Sequence, residues 1–197
     1  MDSFETLVSL LLELDGYWVQ PSFKVELTRE DKVAIGKPSC PRWELDIVAY
    51  KGGTNEILVV ECKSYLDSRG VVFEDLSDGG KSADRYKLFV DERIRRVVLN
   101  RLREQLTAVG SCSPSPSIKL CLAAGRVATD AGRQQIHQFF ETQEWLFMDE
   151  EWLRSKIQKV ADGRYQNHVA AIVAKLLLPR TPRRNRPITA QPSVTQQ

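Results

Sequence analysis

The chain has 197 residues, 42% of them hydrophobic, with 28 Lys and Arg against 26 Asp and Glu and a formal net charge of +2. That length and apolar content suit one globular domain with a substantial core. No run approaches the ~20 apolar residues of a spanning helix, and the opening MDSFETL has neither the basic region nor the apolar stretch of a secretory signal. Cys40, Cys62, Cys112 and Cys121 form no Cys-X-X-Cys pair and lie away from His137 and His168, which argues against a zinc site. Cys62 and Cys121 fall in strand-like runs and read as small buried hydrophobes. Reduced thiols suit the cytoplasm. Neither Gly-X-X-X-X-Gly-Lys nor Gly-X-Gly-X-X-Gly occurs, so nothing points to a nucleotide cofactor.

Residues 3–20, SFETLVSLLLELDGYWVQ, predict a helix, a stop at Gly16 and an opening strand. Ser3 is the candidate cap, and Leu7, Leu10, Leu11 and Leu14 form one apolar face. Two short strands follow, WELDIVAY (43–50) and ILVVECK (57–63). They are joined by KGGTN, whose glycines and asparagine favour a tight reversal. Side chains alternate along a strand, so Glu61 and Lys63 share a face with Ile57 and Val59. On the strand before, Glu44, Asp46, Val48 and Tyr50 share one face and Leu45, Ile47 and Ala49 the other. A hairpin centred between Gly53 and Thr54 sets Asp46 opposite Glu61, and a one-residue slip would exchange the faces.

The run Ile57–Val60 reads as a central strand buried on both sides. Unpaired charge is costly there, and like charges opposite one another in a sheet repel. A divalent metal ion and a phosphate would relieve both, since Mg²⁺ takes oxygen ligands and needs only one or two carboxylates. Lys63 would then lie beside the scissile phosphate or the attacking water. The plainer alternative is a solvated hairpin, with Glu61 and Lys63 as a surface ion pair and Asp46 far from Glu61.

Asp46, followed on the next strand by Glu61-Cys62-Lys63, resembles the signature of the PD-(D/E)XK nuclease superfamily. Over residues 3–148 the order of elements also resembles that family's core: helix with Glu, strand, Asp-bearing strand, Glu-X-Lys strand, helix, strand, helix. Leu45, not proline, precedes Asp46. The resemblance implies an α/β fold, a restriction-endonuclease-like three-layer core whose central mixed sheet is flanked by helices, here with two extra C-terminal helices. It implies Asp46 and Glu61 as ligands of Mg²⁺ or Mn²⁺, the Cys62 backbone carbonyl as a further ligand, and Lys63 as the group that orients the water and stabilises developing charge. Many relatives carry a glutamate in the first helix that completes the metal site. Glu5 is the best match and Glu13 the second, although a first-turn acid also simply favours the helix dipole. The implied activity is a Mg-dependent endonuclease acting on DNA in restriction, repair, recombination or defence, with a homodimer as one option and no membrane partner. The alternative is a noncatalytic member that keeps the fold for nucleic-acid binding or assembly.

Residues 64–90 read as a loop bordering the cleft, where Lys81, Arg85 and Lys87 could touch a phosphate backbone or simply connect elements. The stretch 91–106 predicts a helix with Ile94, Val97, Val98, Leu102 and Leu106 on its apolar side. Its arginines, Arg93, Arg95, Arg96, Arg101 and Arg103, either line a duplex groove or form a solvated face paired with Asp91, Glu92 and Glu104. Gln105 matches a functional glutamine of some relatives. A strand over 117–125, a helix over 128–140 capped by Thr129 or Asp130, and a strand over 144–149 predict a right-handed crossover and a parallel pair. His137 reads as a surface or core-edge histidine. Residues 150–163 and 164–179 predict two helices joined at Gly163. Their stripes are Trp152, Leu153, Ile157, Val160 and Val169, Ile172, Val173, Leu176, Leu177, to be packed on the core or on a second subunit. The domain is thus expected over 1–178. The tail 179–197 lacks the apolar content to fold. Its four arginines, taken from 28 basic residues, leave 24 against 26 acidic, so the rest of the chain carries −2 and nucleic acid would be met by local patches.

Overall fold

The computed structural model describes residues 2–39, 42–77, 79–164 and 166–179, so Cys40 and all of the tail but Pro179 lie outside it. Helix α1 (Ser3–Leu14) is capped by Asp2, not by Ser3. Asp2 accepts the Glu5 N–H at 2.8 Å, and the Glu5 carboxylate accepts the Asp2 N–H at 3.2 Å, a reciprocal box that satisfies two otherwise orphaned donors. The buried apolar residues are Phe4, Val8, Leu10, Leu11 and Leu12, so Leu10 and Leu11 of the predicted face are buried, while Leu14 is 41% exposed. The face overlaps the predicted one and is shifted toward Phe4, Val8 and Leu12. Gly16, at φ +86, ends the helix as expected.

Strands β1 (Trp18–Glu26), β2 (Arg42–Lys51), β3 (Glu56–Lys63), β4 (Ser117–Ala124) and β5 (Leu146–Met148) form one sheet in that order. The first three run antiparallel, and β3, β4 and β5 are parallel neighbours. Helix α2 (Arg29–Ala34), which the sequence reading leaves out, fills the β1–β2 connection behind a Thr28/Asp31 capping box. Residues 64–90 are not one loop. They hold α3 (Glu74–Ser77), a 3-10 turn (Ala83–Tyr86) and α4 (Lys87–Val90). Helices α5 (Glu92–Ala108) and α6 (Asp130–Thr142) carry the parallel connections, capped by Asp91 and Thr129. Val48, Ile57, Val59, Leu120 and Leu122 of the sheet form the main core with Leu76, Tyr86, Ile94, Val98, Leu102 and Phe140. Helix α1 packs against β1, β2 and β3. The result is an α/β fold with a mixed five-stranded sheet and eight α-helices among the described residues, none long and apolar enough to cross a membrane.

The hairpin register is the one centred between Gly53 and Thr54: Ile47 faces Val60, Val48 faces Val59 and Lys51 faces Glu56. Asn55 takes φ 49 to close the turn, a conformation asparagine tolerates. The predicted faces hold for β3 but not throughout β2. Leu45, expected opposite Val48, lies in the same core cluster as Val48. The cause is local. The β1–β2 ladder pairs Pro21 with Ile47 and Phe23 with Leu45 but skips Ser22 and Asp46, and Ser22 sits at φ 49. This interruption re-aims the strand, so odd-numbered Trp43 and Leu45 reach the core before it and even-numbered Val48 and Tyr50 after it.

Beyond β4, Gly125 meets the end of β3. A Cβ there would stand 2.2 Å from the Ser64 carbonyl oxygen and 3.2 Å from Phe4. Backbone cannot yield as a flexible side chain can, so Gly125→Ala is expected to destabilise by about 1–3 kcal/mol. A chemical denaturation midpoint unchanged by the substitution would refute that close packing.

The chain divides within α7 (Glu150–Asp162), one unit ending at Lys156 and the second beginning at Ile157. In the second unit, α8 (Val169–Leu177) starts later than predicted, with His168 as its cap. Lys175 donates to the Ala161 and Gly163 carbonyls at 3.0 and 2.6 Å, tying α8 to the end of α7. All five residues of the predicted α8 stripe, Val169, Ile172, Val173, Leu176 and Leu177, are exposed, and the buried positions are Ala171 and Ala174.

Candidate active site at the carboxyl end of β3

The break in the β1–β2 ladder falls at Asp46, and it has a chemical consequence. The last β2–β3 pair is Ile47–Val60. Past it, the Asp46 side chain takes over: Oδ2 accepts the Cys62 N–H at 2.7 Å. A carboxylate thus replaces a backbone carbonyl in the ladder and is fixed beside Glu61. In a strand the N–H and C=O of one residue point the same way, so the Cys62 carbonyl lies on this same edge. Two residues beyond Glu61, the Lys63 ammonium forms an ion pair with the Glu61 carboxylate. The two side chains are 17% and 22% exposed, which rules out the solvated-hairpin alternative. Lys63 Nζ also sits 5.7 Å from the ring centroid of buried Tyr86.

Burial sets the electrostatics. It pushes the Asp46 carboxyl above the usual carboxylate range, against the Cys62 N–H and the Lys63 charge. It pushes Glu61 up as well; Lys63 opposes this, and Asp46 and Glu5 add to it. Burial alone would lower the Lys63 ammonium, but Glu61 and Asp46 outweigh it and hold the group protonated. Glu5 is raised by burial and by the Asp46 charge, against the Asp2 backbone hydrogen bond. The four predicted groups therefore share one field at the carboxyl end of β3. The Cys62 thiol is pushed far up by burial and by these carboxylates, so it is no nucleophile. Glu13, the second choice for the helical acid, lines a different cavity with Tyr17, Trp18 and Gln20 and does not serve this site.

Among the described residues no three His, Cys, Asp or Glu side chains converge as a metal cage. Two carboxylates at one strand end, each made less acidic by burial, are nonetheless a donor set that fits a hard divalent ion retaining its own waters.

The predicted arginine face divides into structural and open members. Arg95 donates to the Leu88 and Phe89 carbonyls at 3.0 and 2.9 Å and covers the Trp145 ring at 5.0 Å, so it anchors α4 and does not face a groove. Arg101 pairs with Asp31 and Glu104 and reaches the Glu26 carbonyl, holding α2 and β1 to α5. Arg103 donates to Asn100. Arg93 and Arg96 are exposed and line an open depression with Asp91 and Glu92. Gln105 bonds both ways to β1, accepting the Glu26 N–H at 3.1 Å and donating to the Lys24 carbonyl at 3.2 Å, and so covers part of an edge strand.

One cluster escapes the sequence reading. Buried Asp149 accepts from Arg133 at 3.1 Å and from the N–H groups of Glu151 and Trp152 at the start of α7, and His137 Nε2 lies 3.1 Å from it. An aspartate just before Glu-Glu-Trp-Leu is a helix-cap signal, and that was the available clue.

No family model matches this chain, and neither a curated protein nor a solved structure does.

Proposed function

We propose that the chain is a metal-dependent nuclease of the PD-(D/E)XK type that hydrolyses DNA phosphodiester bonds. The observation that carries this reading is the Asp46–Cys62 hydrogen bond across the broken ladder, which brings Asp46, Glu61 and Lys63 to one strand end. Asp46, Glu61 and the Cys62 carbonyl would hold the ion, with Glu5 contributing through a water. Bound there, Mg²⁺ or Mn²⁺ supplies Lewis-acid chemistry and neutralises phosphate charge. The chain's own residues do the rest. The carboxylates stand where water is scarce, so their attraction to a cation is little screened. Lys63, kept protonated, donates to a non-bridging phosphate oxygen and orients the incoming water, so that charge developing on the phosphate meets a fixed donor. Water attacks phosphorus as the bond to the leaving sugar oxygen breaks, and the proton given up by the attacking water is balanced by one taken from solvent by that oxygen.

The test is cutting of supercoiled and branched DNA by the full chain with Mg²⁺ or Mn²⁺. Cleavage that stops on chelation is expected. A folded protein that cuts no DNA form and binds neither metal would shift the reading to a noncatalytic nucleic-acid-binding or assembly module.

A further inference from the structure

A further cavity is built by the segment that follows Lys63. It has a volume of about 520 Å³ and is lined by Tyr65, Arg69, Gly70, Asp75, Lys81 and Arg85, among others. Pockets for small ligands typically span about 300–1,000 Å³, a size that accommodates one nucleotide.

The cavity is joined to the candidate active site through side chains. Lys63 Nζ sits 5.7 Å from the Tyr86 ring centroid, and Tyr65, in the cavity wall, acts electrostatically on both Tyr86 and Arg85. Tyr65 is also only two residues along the chain from Lys63, the group assigned to the reacting phosphate.

The walls are fixed. Val71 bridges to Val127, its N–H donating to the Arg126 carbonyl at 2.9 Å and its carbonyl accepting the Ala128 N–H at 2.9 Å. Gly70, at φ +95, comes so near this segment that a Cβ would meet the Arg126 oxygen at 2.9 Å. Tyr65 itself holds φ 43, a conformation costly for a bulky residue.

The charge is selective. Arg69, Lys81 and Arg85 face the cavity against Glu74 and Asp75, and Asp75 is engaged in accepting the Ser82 N–H at 3.0 Å. What remains is a cavity lined by exposed cationic side chains and by the aromatic Tyr65.

We infer that this cavity binds a single nucleotide unit of a nucleic-acid strand, its phosphate on Arg69 and Lys81 and its nucleoside against Tyr65. The choice of a nucleotide over other anions rests on the nuclease reading. Such a seat would hold the strand next to the scissile phosphate and so position the cut.

The experiment is titration of the full chain with a deoxynucleoside 5′-monophosphate, without added metal, followed by calorimetry or amide chemical shifts. Saturable binding is expected, weakened at least tenfold in an Arg69→Ala/Lys81→Ala double variant and unchanged in Arg103→Ala. Both replaced side chains are exposed, so the variant should fold. Inorganic phosphate and the unphosphorylated nucleoside should each bind more weakly than the nucleotide. No saturation at millimolar nucleotide would overturn the inference. So would inorganic phosphate binding as tightly as the nucleotide, or a double variant that binds like wild type. Because the readout is binding without metal, it stands apart from the cleavage assay. A protein that cuts DNA but ignores the nucleotide loses only this cavity's role. One that binds it but never cuts loses only the nuclease reading.

Discussion

Replacement of Lys63 by alanine is expected to lower DNA cutting by at least about 100- to 1,000-fold, the usual cost of removing one fixed electrostatic donor. It should also destabilise the protein at neutral pH. Lys63 is the cation opposite Glu61 and within the field of Asp46. Breaking a fully buried pair costs about 3–5 kcal/mol; with these side chains about one-fifth exposed, roughly 2 kcal/mol is the better expectation. The pH dependence has a definite sign. A carboxyl whose proton affinity is raised by folding costs stability above its unfolded pKa, and that cost is withdrawn as pH falls through the raised folded value. Burial raises both Asp46 and Glu61, and loss of Lys63 raises them further. The deficit of Lys63→Ala should therefore shrink as pH falls from neutrality into that raised range. Adding Glu61→Gln should restore stability near pH 7 without restoring cutting. Denaturant unfolding of the three proteins near neutrality and at about pH 5, with parallel cleavage assays, reads all of this. A deficit that does not change with pH, or a variant that still cuts, would remove Lys63 from the role assigned to it.

The part of this site that could be read from sequence is the part governed by period and turn chemistry. KGGTN between two alternating runs fixes the hairpin centre, and the centre fixes the pairing of Ile47 with Val60 and the nearness of Asp46 to Glu61. The parity of β3 follows from the same rule. The reading fails where a single backbone event changes the rule. Nothing in WVQPSFKVE announces that Ser22 adopts a positive φ and drops its pairing with Asp46, and that one event moves Leu45 to the other face. Helix α2 has no buried residue to mark its register, only a capping box, so hydrophobic period does not reveal it. The arginines of α5 were ambiguous for a different reason. Composition counts charges, but whether Arg95 meets a phosphate or the Leu88 and Phe89 carbonyls is decided by partners distant from its own helix face. Glu5 shows both levels at once. Its first-turn position predicts a cap, and the carboxylate does accept the Asp2 N–H, yet the same group feels Asp46 across the sheet end.

The network around Asp149 is expected to matter to stability as much as Lys63 does, with the opposite pH signature. Asp149 is 3% exposed and binds four partners: Arg133, His137 and the N–H groups of Glu151 and Trp152. It thereby fastens α6 to the start of α7 after the short edge strand β5. Asp149→Ala strands two helix N–H groups and removes one of the carboxylates facing Arg133, which keeps Glu150 at 2.8 Å. A lost cap costs about 0.5–2 kcal/mol, and loss of the charge-assisted bond from Arg133 about 1.5–3 kcal/mol. A total near 3 kcal/mol is therefore expected at neutral pH. Burial alone would raise the Asp149 carboxyl, but the Trp152 N–H, His137 and Arg133 outweigh it and hold the group below the usual carboxylate range. A carboxyl depressed in the folded state lends stability above its unfolded pKa and loses it as pH falls through the depressed folded value. The charge-dependent part of the difference between wild type and Asp149→Ala should thus persist down through mild acid and fade only below the ordinary carboxylate range. Over that same interval the penalty at Asp46 and Glu61 is being relieved. Asp149→Asn, which can still accept from the helix N–H groups, should fall between the two. Thermal or denaturant unfolding from neutrality to about pH 3 separates the outcomes. If the difference between wild type and Asp149→Ala were the same at both ends of that range, the ionised carboxylate would not be what holds α6 to α7.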